Sequence, residues 1–127
     1  MTGFVDAGDA QAVAEVVRLA LPAVGLDGLL AQLGGVPGFR FEPAQPRGLL
    51  RAAVPARLRQ GDQTVESGRE GVLLLHVVRD IVLAREPLPV GRLPEVLSSL
   101  LARAVRDSGG RDAASAVLTA LRDAVEL

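Results

Sequence analysis

The chain has 127 residues, 49% hydrophobic and 23% charged, with a formal net charge of -1. That length suits one domain with one apolar core, and that hydrophobicity excludes a disordered chain. The near-neutral charge, with neither clustered Arg nor stacking aromatics, gives no field to hold a nucleic acid, and the absence of Cys removes disulfides, thiolate nucleophiles and Cys-based metal sites.

The N-terminal "MTGFVDAGDAQ" carries two Asp and no basic residue, so it does not read as a secretory signal. From Asp9 to Leu21 the residues Val13, Val16, Val17, Ala20 and Leu21 share one helical face, with Asp9 placed to cap the first turn and Pro22 expected to end the helix. A second, two-turn piece begins at Asp27 and stops at Gly34-Gly35; being too short to stand alone, it should dock through Leu29, Leu30 and Leu33.

The period then changes to two. Phe39 and Phe41 alternate with Arg40 and Glu42, a short strand with one wet face. From Leu50 to Leu58 alternate residues are apolar, while Arg51, Arg57 and Arg59 point the other way and Pro55 marks an edge or a bulge. Gly61-Asp62 makes a turn, and the returning strand is expected to bulge around Gly68 or Gly71. In "VLLLHVVRDIVLA" the pair Arg79-Asp80 predicts a tight hairpin, with one uninterrupted strand or a helix over 72–85 as the alternatives.

The clearest helix follows the prolines of "REPLP": Leu93, Val96, Leu97, Leu100, Leu101, Ala104 and Val105 form its stripe, and Gly109-Gly110 stop it. A last helix starts at Asp112 with Ala113, Val117, Ala120, Leu121 and Ala124 on one face, completing a C-terminal helical hairpin. This order gives an α+β domain: an antiparallel meander of about four strands, with N-terminal helices and a C-terminal helical hairpin packed on one face.

The apolar residues are Ala, Val and Leu, with three Phe, one Ile and no Trp or Tyr, so the core has little volume per residue. Together with "VLLLHVV", apolar on both faces, this makes a homodimer the expected state. All fourteen basic residues are Arg, and Lys and Asn are absent, which reads as a high-GC, actinobacterial codon usage. No apolar run reaches the length of a membrane span, and a cytoplasmic protein is expected.

Chemistry-bearing constellations are few. His76, the one histidine, stands between Leu75 and Val77 and reads as a structural or partly exposed residue before a ligand contact or a catalyst. Asp62, Glu66 and Glu70 lie near one another in sequence, but an acidic turn punctuated by glycine reads as solvated, so no metal and no cofactor are expected. "GREG" at 68–71 matches a GxxG string too short to carry an RNA-binding reading. Arg51, Arg57 and Arg59 form the most suggestive polar set: a solvated face paired with Glu66 and Glu70, or a site for an anionic ligand or acidic partner segment. The expected function is a non-catalytic adapter or chaperone-like protein that binds another protein as a homodimer. Behind it stand a binder of an apolar small molecule with an acidic head in a sheet/helix pocket, and then a small enzyme using His76 with an Arg.

Overall fold

A computed structural model describes residues 5–68 and 71–126. The order is helix α1 (Ala10–Leu33), strands β1 (Phe39–Glu42), β2 (Ala56–Gln60), β3 (Gln63–Gly68), β4 (Gly71–Val78) and β5 (Ile81–Pro87), a 3-10 turn over Val90–Arg92, then helices α2 (Leu93–Ser108) and α3 (Arg111–Glu126). The strands form one antiparallel sheet in the order β1-β2-β3-β4-β5, so the α+β meander holds, with five strands rather than about four.

Asp9 caps α1 as expected, its Oδ1 accepting from the Gln11 and Ala12 amides at 3.1 and 3.2 Å. Pro22 does not end this element. The helix runs through it and breaks at Gly25, which takes φ 77° and ψ 163°, a conformation open to a residue without Cβ. A proline inside a helix forfeits one backbone hydrogen bond and can be carried where packing outweighs that loss. Here Val13, Val16, Val17 and Ala20 before the break and Leu29, Leu30 and Leu33 after it are all buried. The helix closes on Gly34, where any Cβ would lie 2.4 Å from that of Phe41, so a glycine lets the end of α1 sit directly on β1.

The two sides of the sheet follow from its register. One row runs Phe41, Leu58, Val65, Leu74 and Glu86 across all five strands. Its first members join the core beneath α1 and α2, with Leu58, Val65, Leu93, Leu97 and Leu101 inaccessible to solvent. The opposite face, away from the helices, carries the row Arg40, Arg59, Thr64, Leu75 and Arg85. Helix α1 packs against both α2 and α3, so the C-terminal hairpin closes over it.

Four local expectations are corrected. The strand expected from Leu50 begins at Ala56; before it, only Val54 pairs, in an isolated bridge to Gln45, because Pro55 lacks an amide hydrogen and the connector turns back on itself. The returning segment is two strands, joined where Gly68 faces Gly71. The irregularity expected near those glycines lies at His76/Val77, where Leu83 of β5 is the extra residue between the pairs His76–Ala84 and Val77–Val82. Finally, α3 buries Ala114, Ser115, Leu118 and Leu121, whereas Ala120 and Ala124 are exposed. Its hidden stripe is the neighbouring apolar one, Ala114, Leu118 and Leu121 at i, i+4 and i+7, and the Ser115 hydroxyl beside it also faces inward, accepting from the Ala7 amide at 3.1 Å.

The hairpin at Arg79-Asp80 is present, with φ of 51° and 64° at its two central residues. Positive φ at both positions is what a two-residue turn needs to match the twist of its strands, and it is unusual for side chains larger than Gly or Asn.

Candidate functional site

The sequence-selected residues separate into three places. Arg57 and Arg59 stand side by side on the sheet face away from the helices. Arg57 pairs with Glu66 on β3 at 3.3 Å, and Glu66 is almost fully buried there. Arg59 pairs with Asp80 at 3.2 Å and donates to the Gly61 carbonyl at 3.1 Å. The expected pairing with Glu66 is therefore made by Arg57, while Glu70, and with it the middle of "GREG", lies outside the described residues. Arg40 and Arg85 join this face through the register, around a cleft of about 260 Å³ floored by Thr64, Leu75 and Val77. Leu75 and Val77 are buried, so the cleft has an aliphatic floor and an arginine-rich rim that also holds Glu42 and Asp80.

Arg51 is elsewhere. The segment between β1 and β2 forms a narrow arm: Gln45 and Val54 exchange backbone hydrogen bonds of 2.8 and 2.9 Å, and the Gly48 amide donates to the Arg51 carbonyl at 2.9 Å. Between Gly48 and Arg51 the tip consists of Leu49 and Leu50, whose exposures are 101% and 98%.

His76 lies on the helix-facing side, opposite in the register to Gln63 and Ala84. Its Nδ1 is 3.6 Å from the Asp62 carboxylate, which also takes a 3.4 Å contact from Arg103 of α2. The sheet thus separates His76 from Arg57 and Arg59, and an enzyme reading that joins His76 to an arginine would have to use Arg103. All three side chains of this cluster are more than one-third exposed. Its geometry suits a surface ion pair that ties the β2–β3 turn to α2.

The residues that sequence reasoning passed over are the exposed apolar ones. Along β5 every residue is exposed, including Ile81 at 61% and Leu83 at 60%, and Val78 at the end of β4 adds to them. As the last strand in the order, β5 also presents an unpaired backbone edge. Composition hinted at this excess without locating it. Among the described residues no helix is long and apolar enough to cross a membrane.

No curated protein and no solved structure matches this chain. A family model does match over residues 3–127: the chain belongs to the family described as a domain of unknown function, DUF5073.

Proposed function

We propose that this protein is a non-catalytic interaction module, adapter-like or chaperone-like, that works as a homodimer and engages another protein through the arm between β1 and β2. The observation that carries the reading is the arm tip, where two leucines stand in water at the end of a hydrogen-bonded hairpin. Leaving two such side chains exposed forgoes roughly 1.5–3 kcal/mol each of available burial free energy, an arrangement that favours a partner surface over solvent. The space between sheet and helices is filled by fully buried leucines, which leaves the interaction reading ahead of an internal pocket.

The second reading, a binder of a small apolar molecule with an acidic head, draws its support from the outer cleft, whose aliphatic floor and arginine rim suit such a molecule. It ranks second because Arg57 and Arg59 already hold carboxylates and because the cleft falls below the roughly 300–1,000 Å³ usual for ligand sites.

The test is a photo-crosslinking amino acid placed at Leu49, or at exposed Asp123 as a control, in the cells that make the protein. A discrete adduct with one other protein from position 49, and none from 123, is the expected result. Equal labelling from both positions, or none from 49, would sink the partner half of the reading; a monomer in solution would sink the dimer half.

A further inference from the structure

The row Arg40, Arg59, Thr64, Leu75 and Arg85 crosses all five strands, so Arg40 and Arg85 start from opposite edges, about 19 Å apart along a flat sheet. Both nevertheless line the same cleft of about 260 Å³. Its floor is hidden from solvent: Thr64, Leu75 and Val77 are 4%, 2% and 8% exposed on the side away from the helices, so it is the rim that shelters them. Val82 of β5 adds an aliphatic wall.

The cations of that rim are not equivalent. Arg57 donates to buried Glu66 at 3.3 Å and Arg59 to Asp80 at 3.2 Å, so each of these two is already matched by a carboxylate. Arg40 has Glu42 at 3.9 Å, an ion pair too long to be a hydrogen bond. Among the described residues Arg85 has no carboxylate within 4.0 Å. The four arginines and three carboxylates therefore leave one positive charge uncompensated, and it falls on Arg85. A guanidinium does not shed its proton, so that charge is met by water or by an anion. Beside an aliphatic floor, an anion with an apolar body gains twice: by a charge-assisted, bidentate bond at its head and by area removed from water along its body.

We infer that the outer cleft binds a short aliphatic monocarboxylate, with its head on the Arg85 guanidinium and its chain on Leu75, Val77 and Val82. The inference rests on the second reading of the proposed function, and it moves the head from Arg57 and Arg59, which are engaged, to the edge strand. One uncompensated charge selects a monoanion over a dianion such as a phosphate monoester. Volume sets the length. A cavity of roughly 150 Å³ holds benzene, so about 260 Å³ takes roughly ten non-hydrogen atoms, the size of octanoate.

A two-dimensional NMR titration of the full chain with sodium octanoate tests it. Saturable shifts centred on Thr64, Leu75 and Arg85 are expected, with a Kd on the order of 0.1–1 mM, as a ligand of that size gives at modest efficiency per atom. Arg85→Gln, which removes the charge from an exposed side chain, should weaken binding about tenfold, and replacing octanoate by octanol should do the same. Arg106→Gln, on the exposed side of α2, should leave binding unchanged. Equal affinity of the wild-type and Arg85→Gln proteins for octanoate, or octyl phosphate binding about tenfold tighter than octanoate, overturns the assignment and leaves the small-molecule reading standing. No saturable shift up to about 10 mM overturns both.

Discussion

The two ends of the sheet are built from similar residues and meet opposite fates. At the β1–β2 end, Leu58 is completely buried under α1 and α2 and Phe41 packs on the end of α1; at the β5 end, Ile81, Val82 and Leu83 are at least 39% exposed. A single row of the register records the change, passing from Phe41 and Leu58 through Val65 to half-buried Leu74 and exposed Glu86. Helices α1 and α2 cover the β1–β2 end of a five-stranded sheet while α3 packs on α1, and the uncovered strands keep an aliphatic composition. The helix-covered end thus holds the core of the fold, and the open end leaves its aliphatic side chains in water.

That division is broken most directly by paired substitutions. Leu97→Ala, at a side chain with no solvent exposure, should cost about 2–5 kcal/mol, because the transfer term and the cavity add. Leu83→Ala should change the unfolding free energy of the folded unit by less than about 0.5 kcal/mol. Urea titration of both, at a concentration low enough to dissociate a dimer, checks this. Equal losses at the two sites would mean that the open end is also part of the intramolecular core.

Between the ends, the prediction is intermediate. Glu66 is buried with one carboxylate oxygen on Arg57, while its Oε2 and the Arg57 Nε have no hydrogen-bond partner among the described residues. Glu66→Ala removes a charge-assisted bond whose Arg57 partner is 38% exposed, so a loss of about 1 kcal/mol is expected. A substantially larger loss, measured by the same titration, would place the middle of the sheet with the covered end.

Much of this contrast was legible in the sequence, and the illegible parts share a cause. Helix faces and turn residues are local: Asp9 as a cap, the Leu29–Leu33 docking face and the Arg79-Asp80 turn all follow from spacing and chemistry within a few residues. What covers a strand is not local. Alternation from Leu50 to Leu58 looks the same whether the apolar side meets a helix or water, and here Leu58 meets the core while Leu50 stands at the tip of the arm. The arginines show the same limit. Period two put Arg57 and Arg59 on one face correctly, but only tertiary pairing brings Asp80 to Arg59 and leaves Arg51 on the arm.

The smallest expected effect lies at the rim of the covered end, where the N-terminal segment is tied to α3. Val5 and Ala7 donate their amides to Thr119 and Ser115, and Asp6 takes two contacts of 2.8 and 3.0 Å from Arg111. The Gly8 amide first, and the Arg111 guanidinium second, hold the Asp6 carboxyl below its ordinary value of 3.8. A carboxyl with a depressed folded-state pKa binds its proton more weakly in the folded chain than in the unfolded one. Its stabilisation is therefore complete above the ordinary value and lost as pH falls through the lower, folded one. Asp6→Asn should thus lower Tm slightly at neutral pH and flatten the fall in Tm below pH 3.8, and parallel acid-side profiles for the two proteins would show that this tie contributes nothing. Because the Arg111 and Asp6 side chains are 61% and 47% exposed, the difference should also shrink with added salt, whereas the cost of Leu97→Ala should not. Salt sensitivity thereby separates what charge holds at the rim from what burial holds in the core.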